Sequence, residues 1–215
     1  MDADKPDWAD QTEQRMLDAA VRLAPDLGWN ARLVERAAAA CGLSGPEAEL
    51  LLPNGARYLA ALLSRRHDRA ALDALAGIDP QTLKIRERIS RGVEARLDAA
   101  AADEAAVRRW AGFLALPTNL PLALRLVWES ADTLWRWAGD AATDENHYSK
   151  RAILSGVLVS TLAVRLSAGR EAASRQLAAR IDNVMAFERW KAGIKPAQLA
   201  AEIAGALGRL RYGRS

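Results

Sequence analysis

At 215 residues, half of them hydrophobic, the chain is long enough for one domain with a buried core or for two small ones. A formal net charge of +3 excludes a strongly basic nucleic-acid coat, and the single cysteine, Cys41, excludes an internal disulfide framework and suits a reducing compartment. The opening "MDADKPDW" is acidic and polar, unlike a secretory signal or an Arg/Ser-rich transit peptide. Only five of the thirty basic residues are Lys, and Ala is abundant, which points to a GC-rich bacterial genome and cytoplasmic residence.

Helical periodicity runs through almost the whole chain. Met16, Ala20, Leu23 and Leu27 form the first apolar stripe, ended by Gly28. "VERAAAA" then reads as a helix, Gly42 as a turn, and Ser44 onward as a short second helix. That is the spacing of a helix-turn-helix, whose second helix enters the major groove of DNA. This second helix carries Glu47 and Glu49 and no Lys or Arg, so it would set carboxylates where phosphates are bound. Cys41 is expected to pack as a small apolar side chain near the turn. After the Pro53-Asn54-Gly55 break, His67 lies in "SRRHDR", whose charge pattern predicts a solvated helix face.

Beyond Gly77, Asp79-Pro80 reads as a helix start with Pro80 in the first turn. Ile85, Ile89, Val93 and Leu97 form the next stripe. Asp103 suits an N-cap, and Val107, Trp110, Ala111 and Leu114 follow it at three/four spacing. Pro117 breaks the pattern. Leu124, Val127, Trp128, Ala131, Leu134, Trp135 and Ala138 then extend one stripe over four turns, up to Gly139. Thr143 is a further N-cap candidate.

"AILSGVLVSTLAVRL", from Ala152 to Leu166, is apolar on nearly every face. A spanning helix needs about 20 apolar residues, so this shorter run, holding two Ser and one Thr, reads as a buried central or dimer-interface helix. A break follows at Ala168-Gly169. The last stretch places Leu199, Ile203, Leu207 and Leu210 on one face, behind a "KAGIKP" hinge. From Arg189 onward six basic residues face one acidic residue, a balance of +5. Such a basic amphipathic helix suits an anionic membrane surface, or else folds back on the core or on a partner. No run of alternating residues competes with the helices. The expected fold is all-α, with about nine or ten helices.

The search for catalytic chemistry is nearly empty. CxxC, HExxH, GxSxG and P-loop motifs are absent, and the two histidines lie far apart in sequence. No Glu-x-x-His pair exists to build a di-iron carboxylate site in a helix bundle. The chain reads as a non-enzyme with no catalytic residue, no metal ligands and no cofactor.

Two resemblances add to this. Ala38, Gly42, Leu43 and Ser44, followed by Leu52 and Tyr58, resemble the apolar frame of the TetR family of one-domain repressors. The DNA-contacting positions depart from it. Glu49 stands where that family carries a phosphate-binding Tyr, Gly55 where it carries Lys, and Glu47 where it carries a small hydroxyl residue. The second resemblance is more specific. "LALPTNLP" from Leu114, "DTLWRWAGDAATDENHYSKRAIL" from Asp132 and "RIDNVM" from Arg180 together resemble the ubiquinone-biosynthesis accessory family of lipid-binding proteins. It covers roughly Gln14 to Lys191 in order.

The second resemblance implies a TetR-like fold with a vestigial helix-turn-helix at 10–75, a helical lipid-binding part at 79–192, and a hinge with a membrane-associating helix at 193–215. It implies a helper that holds isoprenoid lipids or quinones and assists the hydroxylase of demethoxyubiquinone. Asp144, Tyr148 and Arg151 match the family's partner-facing patch, and His147 sits where mitochondrial members commonly carry Trp. The plainer reading of "TDENHYSKR" is a capped helix start, and both can hold.

For the lipid site, seven Trp against two Phe is unusual usage. Trp110, Trp128 and Trp135 lie on apolar stripes, and Leu116, Leu154, Leu158 and Met185 lie on helices expected to face them. Wide aromatic and aliphatic walls suit an apolar ligand, and equally an ordinary core. The expected partners are therefore that hydroxylase, isoprenoid lipid, an anionic membrane surface and a second copy in a homodimer, with no nucleic acid. The protein would sit peripherally on the cytoplasmic face of the inner membrane. A TetR-type ligand-sensing repressor remains the alternative.

Overall fold

The computed structural model describes residues 8–140 and 145–193, and the side chains of 145, 146 and 184–193 lie outside that description. Asn30 accepts from the Leu33 amide at 3.0 Å and donates to the Leu27 carbonyl at 2.7 Å. This one side chain ends α1 (Trp8–Leu27) and starts α2 (Ala31–Ala40). Gly28 between them takes a positive φ of 70°, which a side chain would resist. Gly42 repeats the device at φ 73° before α3 (Gly45–Leu51), and α4 (Ala56–Leu75) follows. The helix-turn-helix spacing is therefore present as expected.

Asp79-Pro80 opens only a short 3-10 turn, Pro80–Thr82, because the Asp79 carboxylate caps Gln81 and Leu83 returns to extended backbone. The long helix α5 begins later, at Ile85, and runs to Ala102. Then come α6 (Glu104–Leu114), a 3-10 turn at Pro117–Asn119, α7 (Leu120–Trp137) and α8 (Glu145–Gly193). Gly169 breaks α8 with a φ of 83°. Among the described residues there are eight α-helices and no strand, so the fold is all-α.

Two apolar cores organise these helices. The first joins α1, α2 and α4 to α6 through Met16, Leu33, Leu63, Val107 and Trp110. The indole of Trp29 locks it by donating to the Ala106 carbonyl at 3.1 Å. The helices of 10–75 therefore close their core only with residues from beyond 79. The second core joins α5, α7 and α8 through Val93, Leu134, Leu154, Leu158 and Leu177. Gly92 lets α5 and α7 meet closely, since a Cβ there would stand 3.4 Å from Leu134.

Two sequence expectations are corrected here. His67 is not on a solvated face: it is 3 % exposed, and its Nε2 lies 2.9 Å from the Asp103 carboxylate, which also takes Arg66. Polar neighbours in sequence hid a histidine whose partner sits 36 residues on, at the junction between Ala102 and Glu104. The run from Ala152 to Leu166 is not buried all round. Leu154, Val157, Leu158 and Thr161 pack inward, while Ile153 and Val159 stand exposed on the outer side. The stretch His147–Asn183 is long and apolar enough to cross a membrane, and its inner side is part of the second core.

Candidate functional site

Pro117 stops α6 and redirects the chain, so that α6 and the segment from Pro117 through α7 meet at 95°. The indole of Trp110 pins α6 to α4 by donating to the Ala60 carbonyl at 3.0 Å. Between this corner and α8 lies a cavity of about 360 Å³. It sits at the seam of the two cores. Trp110, Leu114 and Leu126 reach it from the first, Leu97 and Leu158 from the second, and Leu162 packs against both. Its mouth is rimmed by lining residues that are also exposed: Leu120, Leu124 at 60 % and Val159 at 57 %. Size and apolar lining match a site for an apolar small molecule.

One part of the wall is polar. Arg96, Ser64 and Ser130 all line the cavity and all are buried. Arg96 Nε donates to Asp68 Oδ1 at 2.6 Å, and its Nη2 donates to Ser64 Oγ at 3.3 Å. The Ser130 hydroxyl donates to the same Asp68 oxygen at 2.7 Å. Sequence periodicity could not reveal this group. Its members come from α4, α5 and α7 and meet only when those helices pack.

The lipid-site residues expected from sequence divide. Trp110 and Leu158 line the cavity; Leu116, Trp128, Trp135 and Leu154 do not. Leu116 is half exposed at the Pro117 corner, and Leu154 is buried in the second core. Trp135 donates its indole N–H to the Lys150 carbonyl at 3.1 Å, with the Lys150 ammonium 5.4 Å from its ring. Trp128 packs on Tyr148 at 6.2 Å. These tryptophans therefore fasten the start of α8 to α7. The Met185 side chain lies outside the described residues.

The expected partner patch divides as well. Tyr148 is exposed, with the half-buried His147 ring edge-on to it at 5.2 Å. Arg151 corrects the expectation that it faces outward, because it is only 1 % exposed. Its Nε donates to Asp132 at 2.6 Å and its Nη1 to Asp140 at 3.0 Å and to the His147 carbonyl at 3.2 Å. Lys150 donates to the other Asp140 oxygen at 2.6 Å. Burial pushes the Asp140 carboxyl up, but the hydrogen bonds from Lys150 and Arg151 outweigh it and hold it below the usual carboxylate range. A guanidinium matched to two carboxylates explains how a charge is buried here. Asp144 lies outside the described residues, as do Leu199, Ile203, Leu207 and Leu210.

At the helix-turn-helix, Glu47 is folded back rather than extended. It accepts from the Ser44 amide at 2.8 Å and from its hydroxyl at 2.6 Å, closing a capping box. These bonds hold its carboxyl below the ordinary value, so a negative charge sits at the helix end that would approach DNA. Among the described residues, no group of three or more His, Cys, Asp and Glu side chains could hold a metal.

Comparison with known proteins places the chain in context. The family model described as COQ9 matches residues 120–188, which take in α7 and most of α8. "Ubiquinone biosynthesis protein COQ9, mitochondrial" of Xenopus tropicalis is 30% identical over 171 residues, covering 73% of this chain and 51% of that protein. The proteins of the same name from Rattus norvegicus and Homo sapiens are 28% and 27% identical over 160 residues, each covering 71% of this chain and 51% and 50% of their own length. The chain spans about half the length of the curated relatives it matches.

Proposed function

Because this chain belongs to the COQ9 family, we propose that it is a non-catalytic, lipid-binding accessory protein of ubiquinone biosynthesis. It holds an isoprenoid or quinone intermediate and assists the hydroxylase that acts on demethoxyubiquinone. The observation that carries the lipid part is the apolar cavity between α6, α7 and α8, whose mouth is rimmed by exposed Leu124 and Val159. A rim of that kind suits a ligand that arrives from a bilayer, because its tail never has to cross water. The uncovered outer side of α8 suits a second copy of the chain, and the exposed Tyr148 beside His147 suits the hydroxylase. The stripe from Leu199 to Leu210, with its excess of basic residues, suits an anionic bilayer as anchor.

A DNA-reading role draws less support. The N-terminus of α3 carries the Glu47 carboxylate where a phosphate would have to approach.

The test is reconstitution. The hydroxylase is supplied with a demethoxyquinone in vesicles, with and without this protein. The wild type should raise the turnover of vesicle-bound substrate, and Leu124→Asp with Val159→Asp should abolish the increase while melting as the wild type does. Equal stimulation by the variant, or none by the wild type, would overturn the reading.

A further inference from the structure

The polar wall of the cavity carries a more specific assignment. We infer that the cavity selects apolar-tailed molecules with an uncharged, hydrogen-bond-accepting oxygen at the head, an alcohol, phenol or quinone carbonyl, and that Arg96 with Ser64 is the head-group anchor. This rests on the lipid-binding reading above and names the ligand class within it.

The first ground is donor supply. Arg96 uses Nε on Asp68 and Nη2 on Ser64, which leaves Nη1 without a hydrogen bond among the described residues, on a side chain that lines the cavity. The Ser64 hydroxyl accepts from Arg96 and so keeps its own proton to donate. Both side chains are more than nine-tenths buried, and both line the cavity. A ligand oxygen at the wall would accept from both.

The second ground is charge. Arg96 and Asp68 form a 2.6 Å pair between buried side chains and together sum to zero. A phosphate, diphosphate or carboxylate head would bring an unmatched negative charge into a low-dielectric cavity, and that is strongly disfavoured. A neutral oxygen adds none. The third ground is layout. The polar wall is formed by α4, α5 and α7 residues, whereas the exposed rim is Leu120, Leu124 and Val159. A molecule seated head-inward therefore leaves its tail along an apolar exit.

Three C15 probes with one tail separate the possibilities: farnesene, a hydrocarbon; farnesol, with a neutral hydroxyl; and farnesyl diphosphate, an anion. Each is titrated into delipidated full-length protein by calorimetry. A cavity without an anchor would favour farnesene, since burying an unpaired hydroxyl is unfavourable. The expected order is farnesol tightest, ahead of farnesene by about tenfold or more, the scale of a hydrogen bond from a charged donor. Farnesyl diphosphate should bind more weakly than farnesol.

Arg96→Met with Asp68→Leu removes both charges together and should invert the order, farnesene then binding tighter than farnesol. Arg96→Lys retains the charge but not the second guanidinium amine, and should cut the preference for farnesol over farnesene. If the double variant does not fold, the wild-type order and the Lys variant still decide. Farnesene binding tightest to the wild type, or a preference unmoved by Arg96→Lys, overturns the anchor and leaves lipid binding standing. Farnesyl diphosphate binding tightest overturns the neutral-head assignment. Failure of all three probes to bind overturns the lipid reading itself.

Discussion

Arg151→Met should destabilise the folded chain without touching the cavity. The wild-type guanidinium is buried between Asp132 and Asp140, 2.6 and 3.0 Å away. Removing it takes one cation from two carboxylates at once, and breaking a buried pair costs about 3–5 kcal/mol in comparable sites. The lower end applies here, because Asp140 keeps Lys150 at 2.6 Å and Asp132 keeps Arg136 at 2.7 Å. At about 2–4 °C per kcal/mol for a chain of this size, Tm should fall by about 6–12 °C. The assay is thermal unfolding followed by circular dichroism at pH 7 and again near pH 4. In the wild type the depressed Asp140 value contributes stability above the ordinary carboxylate pKa, and that stability is lost as pH falls through the lowered folded value. In the variant one partner is gone while burial remains, so Asp140 protonates more readily and the gap to wild type should narrow in acid. Asp140→Asn in the variant background should recover part of the loss. A variant that melts within about 2 °C of the wild type would refute the reasoning and return Arg151 to the surface.

Further outcomes follow from other contacts. Burial pushes the His67 imidazole below its ordinary value, against the pull of Asp103. The unfolded chain therefore takes up protons first, and stability should fall as pH drops below about 6.5. His67→Gln should flatten that slope in denaturant titrations, and an unchanged slope would contradict it. Gly92→Leu should push α5 and α7 apart at Leu134, lowering stability by about 1–3 kcal/mol in urea unfolding; a neutral result would mean the helices separate freely. In a gel shift at moderate salt, the protein should form no competitor-resistant complex with its own upstream DNA; a tight one would favour the repressor.

The helices were legible because their signals are local. Ser44 and the glycines at 28, 42 and 169 act within a few residues, and most of the three/four stripes became packed faces, whereas Asp79-Pro80 opened only a short turn. The cavity was only half legible. Trp110 could be read from its stripe and Leu158 from its apolar run, but neither pattern says whether facing helices close or leave space. Leu114, Leu124 and Leu162 line that space through the 95° bend at Pro117, whose direction no spacing encodes. The buried charges were the least legible. Arg96, His67 and Arg151 each look like surface residues in sequence, and each is buried by a carboxylate 19 to 36 positions away. Pairing at that range is a property of the packed helices.

Mass spectrometry of the small molecules extracted from freshly purified protein tests the central claim most directly. The account expects an apolar-tailed quinone, phenol or alcohol in near-stoichiometric amount, lost from the Leu124→Asp, Val159→Asp variant. A wild-type extract that carries no apolar molecule above the level of that variant would contradict it.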